Sequence, residues 1–282
     1  MISKGNKGSQ IVTLKVGDGS ECSINLHGAT VTSWKNKGEE IFFCSEKAVF
    51  DGKSPIRGGI PVVFPHMGPW KLGPQHGFAR IKHWKVAEAI TPSVDDPSCR
   101  VFILEDDEET RNMWNARFRL EYTVNLAEDS LRVSLKVFNK GDEAFSFTTL
   151  MHTYFRVDDV TKAGVKGLKG VKYRDVINGG EHLEEREVVT INEAFDGIYK
   201  KCPCPVELVP DMDNTTSRRR LVTTNLNDTI VWNPWTEGAK IKPDLGDIDY
   251  QHMLCVESGA VSEPNIIGAG QYMTFTLTIV VD

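Results

Sequence analysis

Phe118-Arg-Leu-Glu-Tyr-Thr-Val-Asn-Leu126 decides the fold class. Across residues 117–126 every second residue is apolar, and those between are Arg119, Glu121, Thr123 and Asn125. A period of two sends alternate side chains to opposite faces, so this is a half-buried strand. Ala127-Glu-Asp129 makes a turn. Leu131, Val133, Leu135 and Val137 then resume the alternation up to a second turn at Asn139-Lys-Gly-Asp142. Residues 145–155 read as the next strand, giving an antiparallel meander.

The ends of the chain repeat the pattern. Residues 11–16, 22–26, 30–34 and 40–44 are short strands divided by Gly-Asp-Gly, His-Gly and Lys-Gly turns. Further strands are expected at 84–89, 101–105, 188–191, 220–225, 229–233, 253–261 and 273–279. Only 107–114 reads as a helix, about two turns long. The expectation is an all-β chain, a large antiparallel β-sandwich. A length of 282 residues sets a prior of about two domains at ~150 residues each, yet no repeat or linker divides it. Residues 1–282 are therefore read as one domain.

With 40% hydrophobic and 26% charged residues, the chain is neither disordered, collagen-like nor a coiled coil. A net charge of −6 gives no basic surface for a nucleic acid or an anionic membrane. The N-terminus lacks the apolar core of a signal peptide, and no apolar run approaches the ~18 residues of a membrane span. Six scattered cysteines read as reduced, mostly buried thiols of a cytoplasmic protein. The sequons at Asn214 and Asn227 then read as chance matches. Seven histidines invite a metal reading, but no His-x-His or His-Glu-x-x-His spacing occurs, so no metal is expected.

Three segments break the alternation. Ser54-Pro-Ile-Arg-Gly-Gly-Ile-Pro-Val-Val-Phe-Pro-His-Met-Gly68 holds Arg57 in a Gly/Pro frame, which lets backbone run close to a ligand. Pro74-Gln-His-Gly-Phe-Ala-Arg80 carries Gln75, His76 and Arg80. The third runs from Asn233-Pro-Trp to His252-Met-Leu-Cys-Val-Glu257. Glu257 follows an apolar run, where burial raises a carboxyl pKa toward that of a general base. The alternative is an edge glutamate on a polar strand face. His152, in Thr148-Thr-Leu-Met-His-Thr-Tyr-Phe155, reads as a packed core histidine or as a general acid or base.

Five motifs in order resemble the aldose 1-epimerase family, in its hexose-6-phosphate mutarotase branch. They are Arg57-Gly-Gly-Ile-Pro-Val-Val-Phe-Pro65, Gln75-His-Gly-Phe-Ala-Arg80, His152-Thr-Tyr-Phe155, Val231-Trp-Asn-Pro-Trp235 and His252-Met-Leu-Cys-Val-Glu257. The resemblance spans roughly residues 10 to 281. It implies a galactose mutarotase-like supersandwich and interconversion of the α and β anomers of glucose 6-phosphate or a related hexose 6-phosphate. It implies neither metal nor organic cofactor, and its partner is a small-molecule sugar phosphate; the chain is read as a monomer. By motif match Glu257 takes the general base position and His152 the general acid position. Arg57, Gln75 and Arg80 take sugar-phosphate positions, Asp196 an acidic substrate position, and His76 lines the same pocket.

Two changes flank that pocket. The loop between Met67 and Gln75 is short, and His66 stands where many relatives have glutamine. The family often has Pro-Gly near Pro264, where this chain reads Pro-Asn. Two rivals stay open: an aldose 1-epimerase for free sugars, and a non-catalytic sugar-phosphate sensor that needs the cations but not the Glu257/His152 pair.

Overall fold

A computed structural model describes residues 2–4, 9–87 and 97–282. Twenty-two strands form three antiparallel sheets, accompanied by two six-residue α-helices, among the described residues. The meander is present as Phe118–Leu126 and Ser130–Asn139, paired from Phe118 with Asn139 to Leu126 with Leu131. These two strands lie near the centre of a nine-stranded sheet, with Cys99–Glu105 on one side and Tyr272–Val281 on the other. The apolar set Phe118, Leu120, Tyr122, Val124 and Leu126 is buried, as the alternation requires.

The second large sheet carries the site. Its order is Glu181–Leu183, Lys172–Asp175, Phe195–Tyr199, Asp228–Asn233, Met253–Ile267, Phe145–Met151 and Val62–Val63, with Tyr154–Arg156 also paired to Met253–Ile267. Val231, Leu254 and Val256 of this sheet join one buried cluster with Leu120, Val133 and Phe275 of the nine-stranded sheet and Trp34 of the five-stranded one. That shared core is what a sandwich needs, since each sheet can bury its apolar face only against another layer. The residues alternating with Val231 and Val256 must face away from it. They are Ile230, Trp232, Cys255 and Glu257.

Departures from the expected elements have local causes. The strand expected at 40–44 is a two-residue pairing, Glu39–Glu40, followed by isolated bridges from Phe42 to Phe155 and from Cys44 to Gly58. The chain is crossing between sheets there, and each residue meets a different partner. The strand expected at 145–155 breaks at His152 and Thr153. The His152 N–H turns to the Pro61 carbonyl and the Thr153 N–H to that of Met151. The segment 84–89 keeps only Lys85–Val86 as strand, and its last two residues lie outside the described ones. Glu108–Met113 is the expected helix, capped by Asp107, whose side chain accepts from the Thr110 N–H.

Trp235–Lys240 is an additional helix. Gly238 within it and Pro234 before it conceal the pattern, and six residues are too few to show a period. Of the six cysteines, all free thiols, Cys22, Cys99 and Cys255 are buried, while Cys204 is exposed.

Candidate active site

Strand register assembles the site. Arg174 pairs with Ile198, Ile198 with Ile230, and Ile230 with Glu257. Two residues along, Asp196 pairs with Trp232, Trp232 with Cys255, and Cys255 with Tyr154. Directly paired residues share a face, so both rows lie on the side away from the main core. Two small apolar clusters grow there. One contains Tyr154, Met253 and Cys255, and the other Leu150, Ile198 and Ile230. Between them opens a cavity of about 460 Å³, a size suited to a small metabolite. Arg57, Gln75, His76, Arg80, His152, Asp196 and Glu257 all line it.

Two loops bring the remaining groups in. The Arg57 loop is fixed where Gly59, at φ +64°, presses on the preceding sheet. A Cβ there would stand 1.8 Å from the Val31 carbonyl oxygen. Only glycine fits such an approach. The Gln75–Arg80 loop is pinned in the same way at Gly77, whose Cβ would meet the Phe64 carbonyl oxygen at 2.1 Å. His76 itself has φ +66°, a conformation rare for a side-chain-bearing residue. The Gly68 N–H donates to its Nδ1 at 3.1 Å, which places the ring proton on Nε2, 3.4 Å from the Gln75 side chain.

At the centre, Nδ1 of His152 lies 3.3 Å from Oε1 of Glu257. Both residues are buried, at 7% and 2% exposure. The His152 ring stacks on Tyr154 at 4.7 Å and meets His76 edge-on at 5.6 Å. Its Nδ1 makes no aligned hydrogen bond. Burial and then the Asp196 charge hold the Glu257 carboxyl well above the usual range. Burial, His76 and the two arginines hold His152 well below its own. Asp196 is pushed up to about 6, mainly by burial. His76 is lowered to about 3 by burial and then the Arg80 and Arg57 charges.

The two arginines differ. Arg57 is tied to Asp244 through Nε and Nη2, each 3.1 Å from a carboxylate oxygen, and donates to the Tyr154 hydroxyl at 3.0 Å. Much of its charge is thereby met within the protein. Arg80 donates to the Gln75 carbonyl at 2.8 Å, and its buried Nε has no partner.

Sequence reasoning missed Arg174 and Lys242, which also line the cavity. Arg174 lies on a four-residue strand too short to display alternation, and Lys242 in a loop. Of the tryptophans that could cover a sugar face, Trp232 lines the cavity. Trp70 packs on Phe78, and Trp235 on Tyr250. His66 stacks on Trp70 and is not part of the lining. The short 67–75 loop contributes Met67, Gly68, Pro69 and Gln75 to it.

Donor atoms of His152, Cys255 and Glu257 lie within 4.8 Å of one another. The set resembles a metal triad, but the Arg80 and Arg57 charges that depress His152 also oppose a cation there.

Residues 10–279 match the aldose 1-epimerase family model. The chain belongs to the aldose 1-epimerase family. It is 35% identical over 257 residues to a Cenchrus ciliaris protein named "Putative glucose-6-phosphate 1-epimerase", covering 88% of this chain and 77% of the relative. An Escherichia coli K12 protein of the same name is 30% identical over 248 residues, with 86% and 81% covered. Among solved structures, a "putative mutarotase" from Salmonella typhimurium superposes with a TM-score of 0.86 at 23% identity, over 100% of this chain and 96% of that one. A galactose 1-epimerase from Lactobacillus acidophilus gives 0.74 at 15% identity, over 100% and 97%. The fold is therefore the mostly antiparallel β architecture of the galactose mutarotase-like proteins. Activity at the level of the aldose 1-epimerase family is sugar mutarotation, and a sugar is the substrate class it implies. No helix among the described residues is long and apolar enough to cross a membrane.

Proposed function

We propose that this aldose 1-epimerase acts on a hexose 6-phosphate, with glucose 6-phosphate as the leading candidate. One observation carries the reading. A buried carboxylate–imidazole pair sits in a cavity that also receives four cationic side chains, Arg57, Arg80, Arg174 and Lys242. The names of the curated relatives point the same way.

Mutarotation removes a proton from the C1 hydroxyl and delivers one to the ring oxygen. The ring opens to the aldehyde, turns about C1–C2 and closes on the other face. Glu257 is assigned the first transfer and His152 the second, with the roles reversed on closure. The shifts within the protein favour a protonated Glu257 beside a neutral His152. Moving that proton between the two groups, 3.3 Å apart, once substrate brings them into alignment creates the working carboxylate and imidazolium without changing the proton count. A phosphate dianion elsewhere in the cavity offsets part of the arginine charge that depresses His152, and so favours the transfer. Asp196 and Gln75 are assigned to sugar hydroxyls, and Trp232 to an apolar face of the ring.

Arg57 supplies the argument for the free-sugar rival, since Asp244 already meets its charge. Anomer exchange followed by NMR separates the readings. Acceleration with glucose 6-phosphate and little with glucose is expected. Equal acceleration of both would remove phosphate recognition, and acceleration of neither would favour a sensor. Arg80→Ala should raise KM with kcat largely retained, the signature of lost ground-state binding. A fall in kcat at constant KM would contradict that role.

A further inference from the structure

Arg57 and Arg80 leave a dianionic substrate short of counter-charge, because the Arg57 guanidinium is held by Asp244. The same short loop that presents Asp244 also presents Lys242, two residues earlier. We propose that Lys242, assisted by Arg174, is a phosphate-recognition residue of this site.

The position of Lys242 is fixed rather than free. Its N–H donates to the Ala239 carbonyl at 3.0 Å, and its carbonyl accepts from the Leu245 N–H at 3.1 Å. Leu245 is fully buried and anchors the loop. The ammonium lies 5.8 Å from the centre of the Trp232 ring, on the cavity wall. No carboxylate of the described residues reaches ion-pair distance of it, although Lys47 and Lys240 in the same region are both paired. Burial and then the Arg57 charge lower its pKa, outweighing the opposite pull of the more distant Asp244 and Asp196 carboxylates. A half-buried lysine beside an arginine is costly unless an anion arrives.

Arg174 supports it from the sheet. It stands at the far end of the row that begins at Glu257, three strand spacings or about 14 Å away by backbone. It is an exposed residue that lines the cavity, and it has no ion-pair partner among the described residues. A sugar with C1 at Glu257 carries its 6-phosphate away from the catalytic pair, toward walls of this kind. The chemistry that fits is a phosphate monoester dianion, met by a point charge at Lys242 and a fork at Arg174.

This inference rests on the hexose 6-phosphate reading, and the experiment separates the two. Wild type is first measured for anomer exchange of glucose 6-phosphate. Lys242→Met should raise KM about tenfold to hundredfold with kcat retained, as for loss of a charged hydrogen bond. Lys242→Arg should restore most of the loss. Inhibition by inorganic phosphate should weaken in parallel, and Arg174→Met should show a smaller effect of the same kind. Lys240→Met, which removes a charge outside the cavity, is the control. If Lys242→Met is poorly folded, the rise in Tm that inorganic phosphate gives wild type should be reduced in a folded Lys242→Gln variant. An unchanged KM and unchanged phosphate effect at position 242, with a raised KM for Arg80→Ala, overturns this inference and leaves the parent reading standing. No acceleration of glucose 6-phosphate exchange by wild type overturns both.

Discussion

Oε1 of Glu257 lies 3.3 Å from Nδ1 of His152, and the two do not form an aligned hydrogen bond. The pair is held close by packing, with His152 flat on Tyr154 and Glu257 fixed in the centre of a sheet. Such a pair is poised to exchange a proton with a third group between or beside it, at the expense of stability.

Glu257→Gln tests both halves of that statement. The amide cannot take the C1 hydroxyl proton, so turnover should fall by about 10²–10⁴-fold while ligand binding persists. Stability should change in the opposite direction. The folded chain keeps the Glu257 proton above the reference value of 4.5. Between that value and its raised one, the folded state binds more protons than the unfolded state, so wild-type stability falls as pH rises. Glutamine removes the penalty. The variant should melt higher than wild type at pH 8, with the gap closing toward pH 4, as read by thermal scans. A variant that melts lower at pH 8 and equally at pH 4 would reject the account.

The acid side of the profile belongs to the histidines. His76 titrates near 6.5 when unfolded and is lowered to about 3 in the fold. Between these values the unfolded state binds more protons, so its contribution is complete above pH 6.5 and is lost as pH falls toward 3. Protonation at Nδ1 would also remove the bond from the Gly68 N–H. His76→Gln should therefore flatten the drop in Tm between pH 6.5 and 4. An equally steep drop in the variant would assign the acid limb elsewhere.

The meander at 117–137 was legible because long central strands buried on one face must alternate. Asp196 and Arg174 were less so, for the same reason in reverse. Phe195–Tyr199 and Lys172–Asp175 are too short for alternation to rise above chance, and their faces are set by neighbours distant in sequence. Glu257 stood out because a charge after Met253-Leu-Cys-Val256 breaks an apolar run. Its partner could not be read from the same stretch, since the 3.3 Å contact with His152 joins residues 105 positions apart (257 − 152). The Arg57–Asp244 tie is longer-ranged still and left no local trace. The family resemblance therefore implied phosphate positions for Arg57 and Arg80 without revealing that Arg57 is already engaged.

Gly59 tests how strictly the Arg57 loop is held. A methyl group there meets the Val31 carbonyl oxygen at 1.8 Å, against backbone that cannot rotate away, at φ +64°. Gly59→Ala should cost well over the roughly 1 kcal/mol of a Gly→Ala change at positive φ in open space. Gly52→Ala is the comparison, since Gly52 also has positive φ, +70°, but nothing within 4 Å of its added methyl. Denaturant titration should show a small loss for position 52 and a large one for position 59. Similar losses would mean that the close approach adds no constraint.

Asp244→Asn addresses the engaged arginine. The pair is largely buried, with side-chain exposures of 19% and 16%, so removing the carboxylate charge leaves Arg57 without its internal counter-ion. Breaking such a pair costs about 3 kcal/mol, and Tm should fall. The freed guanidinium also becomes an anion site, still oriented by the Tyr154 hydroxyl. Inorganic phosphate should therefore raise the Tm of Asp244→Asn more than that of wild type, and the excess should shrink as salt is added. A matching fall in the KM for glucose 6-phosphate would show that Asp244 limits how much of the Arg57 charge the substrate receives. An equal phosphate response in variant and wild type would mean instead that Arg57 stays unavailable without its partner, and that Asp244 positions the loop rather than sharing the charge.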